Sequence, residues 1–234
     1  MTSFEPATVI VGGTSGIGFA IAKRLASNGP SVVIVGRDKD KLAGALATLG
    51  SSVRGETADA TDRASLDRLF ARLGRIGHLI LGAARGGGGG LFQQIQDDAL
   101  RSGFEGKFWA HWNAAQSSLP FLLSTGSITF ITASASRHAD PGTSGLAAIN
   151  GALDRMVPTM ARELAPIRVN AVSPGIVSTR WWLDKPDLFK ALSEKAPLGR
   201  AGKPEEIADA VAFLVRNTFV TGVVLDVDGG LHLT

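Results

Sequence analysis

The chain has no cysteine and no tyrosine, only 6% aromatic residues, and no apolar run near the roughly 20 residues that a bilayer span needs. Without thiols there is no disulfide frame, no thiolate nucleophile and no cysteine-ligated metal. Without tyrosine there is no phenol to give up a proton. The opening Met1-Thr2-Ser3-Phe4-Glu5-Pro6 lacks the basic start and apolar stretch of a signal peptide, so a cytoplasmic protein off the membrane is expected. Charge is sparse as well. Lys and Arg number 24 against 21 Asp and Glu, a formal +3, and they are scattered singly, which argues against a nucleic-acid partner. His78, His111, His138 and His232 show no metal-ligand spacing, and no metal is expected.

Short β-branched runs alternating with longer helical stretches are what the sequence does have. Strands are predicted at 8–11, 32–35, a third ending near Glu56, then 78–81, 127–131, 168–172 and 223–227. Helices are predicted at about 16–28, 39–48, 62–74, 98–118, 144–165 and 204–216. Near-continuous apolar strands imply a sheet covered on both sides. The expectation is one α/β domain over residues 1–234: a doubly wound, Rossmann-like, seven-stranded parallel sheet with helices on both faces.

Directly after the first strand comes Gly12-Gly13-Thr14-Ser15-Gly16-Ile17-Gly18, opening the first helix. Glycines there allow a tight turn and close approach to a pyrophosphate, whose charge is met by amide N–H groups and the helix dipole. At the end of the second strand, Gly36 is followed by Arg37 rather than an acidic residue. A carboxylate there would repel a 2′-phosphate and a guanidinium would bind one, so NADP(H) is preferred over NAD(H); the alternative is a solvated loop arginine. Lys39 and Lys41 either add positive potential or are exposed residues of the next helix.

With this turn in place the sequence resembles the short-chain dehydrogenase/reductase family over nearly its whole length. Gly12, Gly16 and Gly18 match the family's glycine motif, which implies that Thr14, Ser15 and Ile17 line the same turn. Asp59-Ala60-Thr61 matches the segment whose aspartate holds the adenine amino group, and Ala84 falls in the segment after the fourth strand that borders the cofactor. Arg168 to Gly175, with Pro174, Val177 and Thr179, looks like the loop that grips the nicotinamide carboxamide. Pro197 to Arg200, Pro204 to Ala208, Thr221-Gly222 and Val227 to Gly230 match the family's last third.

The family's proton relay is another matter. Its serine falls here on Ala133, its tyrosine on Leu146, its lysine on Asn150 and its helical asparagine on Lys107. Leu146 can neither stabilise nor protonate an alkoxide, so the inherited mechanism cannot run. The asparagine and lysine look exchanged, and the expectation is that Lys107 is the replacement acid while Asn150 bonds the nicotinamide ribose; the alternative is a lysine reaching solvent from a packed helix. Ser134, one residue off the serine register, becomes an oxyanion donor if the strand end bulges. His111, one turn beyond Lys107, shares its face, and Arg137 with His138 lie in a loop able to meet a substrate anion.

Gly82-Ala83-Ala84-Arg85 and the five glycines from 86 to 90 predict a loop after the fourth strand that is mobile unless a ligand orders it. Residues 178–200, with Trp181 and Trp182, correspond to the family's substrate lid, and Phe104, Phe108, Trp109 and Trp112 make the 98–118 helix aromatic. The resemblance implies a homodimer or homotetramer acting on a small carbonyl or alcohol. The reading is an NADP-dependent oxidoreductase with a rearranged relay. The alternatives are an NADP(H)-binding silent sensor or partner subunit, and a non-redox isomerase or lyase.

Overall fold

Seven parallel strands hydrogen-bond in the order β3-β2-β1-β4-β5-β6-β7. The computed structural model describes residues 6–27, 31–85 and 87–234. The strands are β1 (Ala7–Val11), β2 (Val32–Gly36), β3 (Val53–Thr57), β4 (Ile76–Leu81), β5 (Leu122–Ile131), β6 (Arg168–Pro174) and β7 (Val224–Val227). Alternate residues serve opposite faces. Val9, Val11, Val33, Leu79, Leu81, Ile128 and Phe130 pack on one side beneath α3 (Arg63–Leu73), α5 (Ala110–Ser118) and α6 (Ser144–Glu163). Ile10, Ile34, Ile80 and Val172 pack on the other, beneath α1 (Gly16–Ala26), α2 (Lys39–Leu49) and α8 (Pro204–Arg216). This is the doubly wound Rossmann-like domain the strand pattern predicts, and its order reverses beside β1, where such folds open a ligand crevice.

Two segments depart from the predicted elements. The stretch 98–118 is not one uniform helix. It runs as α4 (Asp97–Gly103), a π turn (Phe104–Trp109) and α5, and the π turn carries Lys107. The second departure is α7 (Pro186–Lys195), which was predicted only as part of a lid. Pro186 at its first position, Asp187 in its first turn and apolar Leu188, Phe189 and Leu192 were the available signals. In the described part of the glycine loop, Gly87 to Gly90, Gly88 is buried and the Gly90 N–H is donated to the Gly142 carbonyl at 2.9 Å. Gly86 lies outside the described residues.

Candidate functional site

A cleft runs along the C-terminal ends of β1, β2, β4 and β5. Its floor is the glycine turn. Gly12 holds φ at +88°, a conformation that penalises any side chain. A β-carbon on Gly18 would collide with the Gly12 carbonyl, so the helix can approach the strand this closely only with glycine there. Ser15 stands at the N-cap of α1 without a side-chain bond to the first-turn amides, and that turn has no acidic residue. In α2 and α3, by contrast, Asp38 and Asp62 cap the amides at 3.0 Å. The start of α1 thus presents uncapped N–H groups to the cleft, the arrangement a pyrophosphate requires. Thr14, Ser15, Gly16 and Ile17 are on the wall with them.

Arg37 and Lys41 line the cleft beyond β2. Asp59 and Ala60 do so beyond β3. The Asp59 carboxylate accepts the Thr61 N–H at 2.9 Å and its hydroxyl at 2.8 Å. The Thr61 N–H, then its hydroxyl and the charge of Arg37, hold Asp59 below the usual carboxylate range against the effect of burial. Ala84 and Thr179 complete this part of the wall. Pro174, Gly175 and Val177 stand off it: Pro174 ends β6 paired with Val227, Val177 bridges Gly202, and Gly175 packs so tightly that a β-carbon there would lie 2.8 Å from Asp228 Cα. These three shape the loop that presents Thr179.

Lys107 is on the wall at the other end, half-buried. The wider π turn displaces it from a regular helical position, a distortion that recurs at functional sites. Its Nζ donates to the Thr132 carbonyl at 3.0 Å, just past the end of β5. Burial pulls its pKa down to about 8, opposed by the charge of Asp154. Asp154 is a residue the sequence reading missed. It lies on α6 one turn beyond Asn150, accepts the Ser136 hydroxyl at 2.5 Å on Oδ2, and leaves Oδ1 buried without a hydrogen-bond partner. The i,i+4 spacing of Asn150 and Asp154 was the signal available.

The structure does not gather the remaining candidates on this wall. Asn150, 2% exposed, donates its amide to the Leu146 carbonyl at 2.8 Å, within α6, and its Oδ1 is buried and unpartnered. Ser134 is buried in a short 3-10 turn, and the wall there consists of Ile131 and Thr132. His111 shares a helix with Lys107 but is fully buried: it bonds the Ala83 carbonyl through Nε2 at 2.8 Å, and burial pushes its pKa down to about 3. Arg137 pairs with Asp226 at 3.0 Å and His138 faces Asp140 at 3.6 Å. Trp181 does reach the wall, whereas Trp182 packs against Phe189 of α7.

Away from the cleft, Asp226, Asp228 and His232 bring ligand-type atoms within 4.8 Å of one another. Asp228 accepts the Gly230 and His232 N–H groups and His232 Nδ1, and Asp226 faces Arg137, so these groups fasten the C-terminus. Among the described residues no helix is long and apolar enough to cross a membrane.

A family model described as Enoyl-(Acyl carrier protein) reductase matches residues 11–232. The chain is 34% identical to a glucose 1-dehydrogenase of Gluconobacter oxydans, over 96% of this chain and 91% of that one. Among solved structures it is similar to a small-chain dehydrogenase in complex with NADPH, with 30% identity, a TM-score of 0.84 and coverage of 98% of this chain and 100% of the other. It is also similar to a short-chain oxidoreductase of Pseudomonas aeruginosa described as containing an atypical catalytic center, with 26% identity, a TM-score of 0.89 and 97% of each chain covered.

Proposed function

The chain belongs to the short-chain dehydrogenase/reductase family, and from that premise we propose that it is an NADP-dependent oxidoreductase acting on a small carbonyl or alcohol, with Lys107 doing the work of the missing tyrosine. One observation carries the reading: Lys107, at the chemical end of the cleft wall, is half-buried, anchored to Thr132 and shifted to a pKa of about 8. A group that titrates near neutrality matches the requirement for a general acid and base.

When bound, the nucleotide supplies or accepts hydride; the residues of the chain do the rest. The uncapped start of α1 fits a pyrophosphate, and the clash that any β-carbon at Gly18 would meet marks how closely the turn is built. Arg37 with Lys41 suits a 2′-phosphate, which favours NADP over NAD, and a structural neighbour bound to NADPH supports the choice. Asp59 receives the adenine amino group and Thr179 the carboxamide side. In the reducing direction the Lys107 ammonium protonates the forming alkoxide; in the oxidising direction its neutral amine takes the alcohol proton. Thr132 aims the amine, and the charge of the half-buried Asp154 favours the ammonium. Asn150, which bonds back to Leu146 within α6, and Ser134, buried behind Thr132, are given no part in proton transfer in this reading. The altered centre named in the Pseudomonas aeruginosa neighbour is in keeping with such a change.

Residues 178–200, with Trp181 on the wall and α7 behind it, form the substrate lid in this reading. Trp109 and Trp112, 42% and 39% exposed on the aromatic helix, favour a homodimer or homotetramer, and the cytoplasm remains the expected compartment. The test is to titrate NADPH and NADH, then follow deuteride transfer from 4-deuterated NADPH to a carbonyl panel. Tighter NADPH binding and transfer that Lys107→Met slows by about 10²–10⁴ are expected. NADPH binding with transfer unchanged in Lys107→Met overturns the role of the lysine, and failure to bind either nucleotide overturns the function.

A further inference from the structure

The cations of the cleft sort by strand. Arg37 and Lys41 follow β2, Arg85 follows β4, Lys107 anchors to the end of β5, and Arg180 follows β6. In a doubly wound sheet the dinucleotide lies across the switch point, with adenosine on the β2 side and nicotinamide on the β4–β6 side. Two cations therefore serve the end with the 2′-phosphate, and three stand at the other end. The nicotinamide ring carries no negative charge in either oxidation state, and the pyrophosphate is met at α1. The cofactor leaves that positive potential unmatched.

The protein matches it only at Lys107, through the charge of Asp154. Five arginines outside this cleft are set against carboxylates: Arg24 with Asp209, Arg63 with Asp67, Arg72 with Glu56, Arg137 with Asp226 and Arg200 with Glu206. Among the described residues, Arg85 and Arg180 have no such partner, yet both line the cleft. Next to Arg180 stands Trp181, 59% exposed, with the Lys185 ammonium 5.4 Å from its ring centroid, which adds further positive charge beside an apolar surface. The backbone of Arg85 is fixed: Gly106 of the π turn packs so closely that a β-carbon there would collide with the Arg85 carbonyl. Arg85 and Lys107 are thereby held on neighbouring parts of one wall.

We propose that the substrate carries a carboxylate beside its carbonyl, gripped by Arg85 and Arg180, with its apolar body against Trp181. The proposal rests on the oxidoreductase reading for the position of the carbonyl. A guanidinium matches a carboxylate with paired donors, whereas Lys107, a single point charge, is left for the carbonyl oxygen.

Benzoylformate and its methyl ester share an aryl ketone and differ by one charge. Calorimetric titration of each into NADP-loaded protein is expected to give about 10-fold tighter binding of the acid at low salt, a modest figure because both arginines are exposed. The preference should shrink as salt screens it and fall toward unity in Arg85→Gln and Arg180→Gln, while NADPH affinity stays within about twofold of the parent. Equal affinity for acid and ester, or binding of neither, overturns the proposal. So does a loss of NADPH affinity in either variant with the acid preference intact, since the arginines would then be phosphate ligands. Because the readout is binding, the two readings fail separately: acid bound without hydride transfer counts against the oxidoreductase, and ester reduced as well as acid counts against the carboxylate grip.

Discussion

The two ends of the cleft solve problems of different kinds. At the adenosine end the carboxylates have local partners and the backbone is tightly set: Asp38 caps α2, Asp59 is fixed by Thr61, and the glycine turn is locked by backbone contacts. At the nicotinamide end the helix widens into a π turn, Lys107 donates to the Thr132 carbonyl, and Asn150 Oδ1, Asp154 Oδ1 and Ser173 Oγ are buried without partners among the described residues. Binding a phosphate demands a backbone shape that few sequences can form. Moving a proton demands only a group of suitable pKa near the reacting oxygen, and several side chains can provide one. The first end is therefore constrained in sequence and the second is open to replacement.

The largest effect expected from breaking this contrast is at Lys107. Lys107→Met should lower carbonyl reduction by about 10²–10⁴ while leaving NADPH affinity near the parent value. In the parent the acid is the ammonium, so reduction should fall as pH rises through about 8, and the variant should lose that fall. Stability gives a second readout. The folded pKa lies below the unfolded one, so the unfolded chain binds the proton more tightly and parent stability rises with pH between about 8 and 10.5. Methionine removes the cost of the buried charge, and denaturant unfolding at pH 7 should show a gain on the order of 1–3 kcal/mol. An unchanged pH profile would mean that the proton comes from elsewhere.

Next in size is the other end. Gly18→Ala forces its β-carbon into the Gly12 carbonyl, and the displaced turn should weaken NADPH binding by about 100-fold, equivalent to about 2.7 kcal/mol. Arg37→Gln keeps the turn and removes only the guanidinium. It should cost NADPH about 10-fold and NADH little, so that the ratio of the two affinities reports the 2′-phosphate contact alone. If NADPH and NADH weaken equally, Arg37 is a loop arginine of no special role.

What the sequence could and could not reveal follows the same division. The strand positions and the glycine turn were legible because parallel strands read as apolar runs and Gly12 to Gly18 sits between a strand and a helix, so period and position carry the information. Lys107 was legible as a candidate only through an exchange with Asn150, and the two differ in outcome: one reaches the wall and the other turns back onto Leu146. No periodicity shows that a helix will widen by one residue at Lys107, or that Asp154 will bring its charge to bear on it. Ser134 depended on a strand-end bulge, and the chain instead turns into a 3-10 helix after Thr132 pairs with Val172.

The smallest expected effect comes from restoring what is missing. In Leu146→Tyr the phenol enters a place already filled: a β-carbon at Gly88 would stand 3.5 Å from Leu146 Cδ2 and 3.1 Å from Ile149 Cδ1, so the glycine loop lies against this side chain. A larger ring must displace that loop, at a cost of about 1–3 kcal/mol in unfolding free energy. The phenol would also lack help. Asn150 offers no ammonium to lower its pKa, and Ala133 offers no hydroxyl to orient it, so its pKa stays near the unperturbed value of about 10. Reduction in Leu146→Tyr should therefore match the parent within about threefold, because a phenol of that pKa is a weaker acid at neutral pH than the Lys107 ammonium at about 8. A tenfold gain in deuteride transfer would instead show that the chemical end still holds a tyrosine-ready geometry, and that its departure from the rest of the cleft is one side chain deep.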